Sequence, residues 1–159
     1  MGDGYDLAYK SKYEVPRVIT VTDSTLTVSR ELHEGKIVVL DRAAGIAVTL
    51  PASQGEGDIY TFVIKTAVSS NSTTIKVANA SDAYTGQAFG TDDDVEGATG
   101  YNWNAETNDD TVTLDGTTTG GKAGDKIVIT DYASNVFDVE AKLTQSGGSE
   151  VTPFSATVS

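Results

Sequence analysis

Short stretches in which apolar and polar residues alternate make up much of the chain, and they predict β-strands. In Thr25–Ser29, Leu26 and Val28 would share one face of a strand while the threonines share the other. Lys36–Asp41 has a continuous apolar run instead, which is typical of a strand buried on both faces. Ten segments rich in valine, isoleucine and threonine are predicted as strands: Arg17–Val21, Thr25–Ser29, Lys36–Asp41, Ile46–Leu50, Ile59–Thr66, Thr73–Val77, Thr111–Leu114, Lys126–Asp131, Val136–Leu143 and Val151–Val158.

Helical signals are weak, and only Ser29–Gly35 and Asp82–Phe89 could form a turn or two of helix. Many short strands with few helices are typical of a sandwich or a small barrel. The sequence therefore predicts an all-β fold, either an antiparallel β-sandwich or a small β-tulip-like barrel, with an extended N-terminal arm. Lys36–Ala43 is also echoed by Lys126–Ala133, which would make two equivalent turn-and-strand units.

Two segments depart from this rhythm, and they define the predicted organisation of the chain. Residues 1–17 contain tyrosines spaced by four, and tyrosine is favoured at interfaces, so we predict a docking arm. Residues 18–159 are predicted to form a single β domain. Within it, residues 79–110 are expected to form a long polar loop at the outer tip, with Trp103 pinning the loop to the body.

Composition and charge narrow the classes of function. The chain has no cysteine, so disulfides, cysteine-ligated zinc and thiol catalysis are excluded. The net charge is −12, of which residues 43–159 carry −11, so nucleic acid and anionic membranes are not expected as partners. The N-terminal residues do not resemble a secretory signal, and no stretch approaches the ~20 apolar residues that span a bilayer.

Signals for enzymatic chemistry are poor, and we predict a protein that is not an enzyme and has no cofactor. The only histidine, His33, lies in a polar connector and is expected at the surface, without the Gly-x-Ser-x-Gly motif of a serine hydrolase. Gly116–Ala123 resembles a phosphate-binding loop only superficially, because Ala123 stands where a hydroxyl is required. Asp92, Asp93 and Asp94 could offer oxygen ligands to calcium, as in a calcium-dependent adhesin-like domain. The spacing of an EF-hand is absent, so we expect a solvated acidic loop and no metal site.

The order of strand and turn motifs carries a resemblance to a known class of proteins. Gly35–Asp41 is followed by Ala44–Ala52 and Gly55–Phe62, and later by Leu114–Gly121 and Gly124–Ile127. This pattern resembles the small β-rich virion proteins of tailed bacteriophages, particularly capsid decoration (cement) proteins and related head or tail fibre modules.

The resemblance implies a protein on the capsid exterior of the virion, where a homotrimer bridges neighbouring subunits of the major capsid protein and stabilises the shell. The alternative is a head or tail fibre or receptor-binding module that recognises a cell-surface glycan through the loop at 79–110. In the first case the arm would contact the capsid through its tyrosines and basic residues, namely Tyr5, Tyr9, Lys10, Lys12, Tyr13 and Arg17.

Overall fold

The computed structural model of the chain describes residues 16–94 and 99–158. Of the predicted capsid contacts, only Arg17 falls within these ranges. The contacts predicted at Tyr5, Tyr9, Lys10, Lys12 and Tyr13 lie outside the described residues.

The described residues form twelve strands and one short helix, and each of the ten predicted strand segments overlaps one of these strands. In chain order the elements are β1 (Val18–Val21), β2 (Thr25–Thr27), α1 (Arg30–His33), β3 (Ile37–Asp41), β4 (Ala47–Thr49), β5 (Ile59–Thr66), β6 (Thr73–Lys76), β7 (Ala83–Asp92), β8 (Gly100–Asn104), β9 (Thr111–Leu114), β10 (Lys126–Ala133), β11 (Val136–Gln145) and β12 (Phe154–Ser155).

The strands form two sheets, and the predicted all-β, sandwich-like fold is confirmed. Sheet A has the order β1-β3-β5-β10-β11-β7-β8, and sheet B has the order β12-β9-β6-β4-β2. Among the described residues the sheets stay separate, so the alternative of a small closed barrel is wrong.

The prediction that the sheets are antiparallel is also wrong, because both sheets are mixed. From β1 to β6 the chain alternates between the sheets, so that β1, β3 and β5 run parallel in sheet A. In the same way β2, β4 and β6 run parallel in sheet B. After each strand the chain passes through the other sheet before it returns to the first one. Successive strands of one sheet therefore run in the same direction, and β1 to β6 form a coil of three turns.

The core lies between the sheets and is built from the inward-facing residues of both. Phe62 on β5 is fully buried, in register with Val38 on one side and Ile127 on the other. A buried hydrogen bond also crosses between the sheets, since the Tyr84 hydroxyl donates to the carbonyl oxygen of Ile75 at 3.0 Å. The two sheets therefore pack as one apolar unit that is cross-linked by a polar contact.

Residues 79–110 are the main correction to the sequence analysis. The expected long polar loop contains β7 and β8, and Asp82–Phe89 is mostly strand rather than helix. Glycines obscure the alternation of apolar and polar residues in β7. The glycine at position 86 is required by the packing of the neighbouring strand. Its φ is +104°, and a Cβ at this position would lie 2.2 Å from the carbonyl oxygen of Val139 on the neighbouring strand.

The other predicted helical turn is confirmed, although its histidine is not where the sequence suggested. Ser29 caps α1 by accepting a hydrogen bond from the Leu32 amide at 3.3 Å. His33 is 5% exposed rather than superficial, and its Nδ1 lies 3.0 Å from the amide nitrogen of Ser29. The turn folds back on itself, so the only histidine serves the local structure.

Candidate interaction surface

The outer face of sheet A carries a continuous patch of aliphatic side chains. Val18, Ile37 and Ile59 are exposed by 54%, 43% and 43% of their surface, which is unusual for large apolar residues in a small protein. Strand pairing brings these side chains together, because Val18 is in register with Ile37. We call the following set of outward-facing residues of β1, β3, β5 and β10 the aliphatic face: Val18, Thr20, Ile37, Val39, Ile59, Thr61, Val63, Val128 and Thr130.

The aliphatic face contains no charged residue, although the chain carries a net charge of −12. Charged residues of both signs border it directly, since Glu140 and Asp138 on the outward side of β11 are in register with Val128 and Thr130. Lys65 forms an ion pair of 2.7 Å with Asp41 where β5 and β3 end, and Lys126 is in register with Lys142 on β11. The middle of the face, around Ile37 and Thr61, is therefore uncharged, and acidic groups lie along its β11 border.

Arg17 lies next to this face, directly before β1. It is exposed, and its carbonyl oxygen accepts a hydrogen bond from the Ile37 amide at 2.9 Å. The last residue of the predicted arm is thus tied to the edge of sheet A by its main chain.

Trp103 lies on β8 at the other edge of sheet A, and it packs partly buried against the core. Its indole nitrogen donates to Gln145 Oε1 at 3.0 Å, and its ring stacks on Tyr101 with a centroid distance of 5.8 Å. The Tyr101 side chain is hydrogen-bonded to Glu150. This hydrogen bond, together with burial and the negative charge of Glu150, raises the pKa of Tyr101. The tryptophan pins a strand rather than a loop to the body.

The predicted acidic loop residues Asp92, Asp93 and Asp94 do come together at the end of β7. One carboxylate oxygen from each lies within 4.8 Å of the others. These oxygens have protein partners, since Asp92 accepts from the Asp94 amide at 2.7 Å and Asp94 accepts from the Gly147 amide. Asp93 lies 3.8 Å from the Lys122 ammonium. The contacts stabilise the turn after β7.

Several other aspartates are buried, and they hold loops by accepting main-chain hydrogen bonds. Asp131 accepts from the amides of Gln54 and Gly55 and from the Ser53 hydroxyl, each at 2.8 Å. Burial alone would raise the pKa of Asp131, but these donors outweigh it and lower the pKa. At Asp125 burial dominates over similar donors and raises the pKa. Sequence analysis missed both residues because an aspartate inside an apolar strand or a glycine-rich turn has no distinctive signature.

Comparison of the chain with protein-family models, with curated proteins and with solved structures found no match. In residues 16–94 and 99–158, the structure contains no helix with the length and hydropathy that a membrane crossing requires.

Proposed function

We propose that the chain is a virion structural protein that decorates and stabilises the outer surface of a tailed-phage capsid. A trimer of the chain would bridge neighbouring major capsid protein subunits. The aliphatic face is the observation that carries this proposal, because an uncharged apolar sheet surface on an acidic body is suited to holding neighbours. The resemblance of the strand and turn motifs to decoration proteins supplies the particular class.

The aliphatic face is where copies of the chain would meet. A three-fold assembly needs two different patches on each subunit, since each patch contacts the other kind on the next copy. The face is four strands wide, so its β1–β3 half can pack on the β5–β10 half of a neighbour. The absence of charge on these residues supports contact between copies, because burying them desolvates no charged group, although the net charge of −12 on each chain opposes association.

Residues 1–17 would form the extended arm that reaches the capsid. They lead directly into β1, the edge strand of sheet A, so the arm would leave the trimer next to the joined faces. Ordering such a segment on docking costs conformational entropy. A trimer offsets this cost, because the second and third arms bind at high effective concentration once the first is in place.

The test is co-sedimentation with assembled shells of the phage that encodes the chain, compared with unassembled capsid subunits. One variant lacks residues 1–15 and keeps Arg17, whose carbonyl oxygen pairs with the Ile37 amide. The matched control is Thr49→Glu, on the exposed outer side of sheet B. We expect the wild type and the control to sediment with shells but not with subunits.

The truncated chain should stay in solution and melt at an unchanged temperature. Full decoration by the truncated chain would refute the role of the arm. A wild-type chain that binds no shell would refute the proposed function.

A further inference from the structure

A cleft of about 350 Å³ opens at the edge of the sandwich opposite the aliphatic face. It lies between β8, the last strand of sheet A, and the segment that leads into β12, the first strand of sheet B. Trp103 lines the cleft from one side and Phe154, which is 5% exposed, from the other. Trp103 is the partly exposed aromatic residue of the cleft and provides its apolar base, at a point where two sheet edges separate.

The indole of Trp103 is partly buried and is held in place by its neighbours. Tyr101 stacks against the indole and does not line the cleft. Asn104 and Glu106, which follow Trp103 along the chain, do line it. The bond from the indole nitrogen to Gln145 fixes the ring further. A ligand in the cleft would meet a preorganised aromatic surface, which lowers the entropic cost of binding.

The polar groups around this base are of mixed hydrogen-bonding character. Asn104 accepts from Gln87 at 2.9 Å through Oδ1, which leaves its amide nitrogen as a donor. The Glu106 amide donates to Asp109 Oδ2 at 2.8 Å, and the Asp109 amide donates to the Glu106 carbonyl oxygen at 3.1 Å, which closes a turn. These two bonds occupy only one of the four carboxylate oxygens.

The edge strand adds main-chain groups to this set. The Ala105 amide bonds back to β7, so by alternation the main-chain groups of Asn102 and Asn104 point away from β7. The cleft therefore offers donors and acceptors beside an aromatic base.

The geometry points to a binding site for a neutral saccharide in this cleft. Sugar hydroxyls both donate and accept hydrogen bonds, which matches amides, carboxylates and a free strand edge. The apolar side of a sugar ring suits an aromatic base flanked by polar groups. Glu106 and Asp109 would repel anionic sugars, so the site selects uncharged ones. This inference does not depend on capsid binding, and it gives the glycan-recognition alternative a specific location.

The test uses the fluorescence of Trp103, the only tryptophan of the chain, so that any change in its emission reports on this cleft. Diacetylchitobiose, maltotriose and lactose serve as neutral probes and sialyllactose as the anionic probe, after a glycan array has been screened with the same protein. The variant Asn102→Ala/Glu106→Ala removes two exposed lining side chains and leaves the core intact. The matched control, Glu31→Ala, removes an exposed carboxylate from α1.

We expect a saturable change in emission with at least one neutral saccharide from the probes or the array. Its affinity should fall at least tenfold in the double variant and stay unchanged in the control. No response to any neutral saccharide, equal affinity in the double variant, or preference for sialyllactose would each overturn the inference. Shell co-sedimentation is measured separately, so failure here leaves the proposed function in place.

Discussion

Asp131 holds the connection between β4 and β5, and Asp131→Asn tests how much stability this single carboxylate provides. Its Oδ1 accepts from Ser53 and Gly55, and its Oδ2 accepts from the Gln54 amide. Asparagine keeps one oxygen, loses the charge that strengthens all three bonds, and places an amide N–H₂ group against one donor. Hydrogen bonds to charged groups contribute about 1.5–3 kcal/mol each, and part of that is recovered from water at the exposed Gln54.

We therefore expect the free energy of unfolding to fall by about 2 kcal/mol, or roughly 4–8 °C in melting temperature for a chain of this size. The assay is urea denaturation followed by circular dichroism between pH 7 and pH 2.5. The pKa of Asp131 is lowered in the folded state, so its contribution is present above the unfolded pKa and lost as the pH falls through the folded one. The gap between wild type and variant should close in acid.

Asp138→Asn is the matched control, because folding shifts the pKa of Asp138 in the opposite direction. Burial and the charge of Glu140 raise the pKa of Asp138, so its ionised form is disfavoured by folding. Neutralising it should leave stability at pH 7 unchanged or slightly higher. A loss below about 0.5 kcal/mol in Asp131→Asn, or a gap that persists to the lowest pH, would refute the role assigned to this carboxylate.

Two further predictions test the packing. Gly86→Ala should cost at least about 3 kcal/mol, because its Cβ would meet the Val139 carbonyl oxygen at 2.2 Å, whereas Gly124→Ala at a similar positive φ meets nothing within 4 Å and should cost about 1 kcal/mol. Equal losses in thermal melts of the two would contradict this close approach. Phe62→Ala should cost about 3–5 kcal/mol in chemical denaturation, and Leu32→Ala, which changes an exposed side chain outside the aliphatic face, under about 1 kcal/mol. A reversed order would mean that the core is misplaced.

The sequence predicted the strands well where alternation and β-branched residues agree, as in β2 and β9. The prediction that β3 is buried on both faces was wrong, because Ile37 is 43% exposed on the outer side of sheet A. The sequence also failed at β7, where Gly86 and Gly90 replace the apolar residues that would have marked the inner face. Gly86 is required by the close approach of β11, and that approach depends on which strands become neighbours. Sequence patterns report which face of a strand is buried but not the partner across the sheet.

The direction of the strands was unpredictable for a related reason. The first three turns of the coil begin at Val18, Ile37 and Ile59, so their lengths differ and no regular repeat is visible. The echoed segments β3 and β10 both flank β5, but one is parallel to it and the other antiparallel, so they are not the two equivalent units that the sequence predicted. Similar local sequence therefore indicated a similar strand without fixing its direction.

The candidate surfaces were only partly visible in the sequence. Trp103 was singled out correctly as an anchor, but the cleft beside it depends on Phe154, which lies far away along the chain. The aliphatic face was missed because its residues alternate with buried ones in the normal way for strands. Only the pairing of four strands turns isolated exposed valines and isoleucines into one continuous surface.

The molar mass in solution, measured by light scattering, tests most directly whether the aliphatic face joins copies of the chain. We predict three times the 16.6 kDa of one chain for the wild type and for the control Thr49→Glu. Ile37→Glu places a charge in the centre of the face and should give 16.6 kDa with its secondary structure intact. A wild-type chain that remains at the mass of one copy across the accessible concentrations would contradict the account.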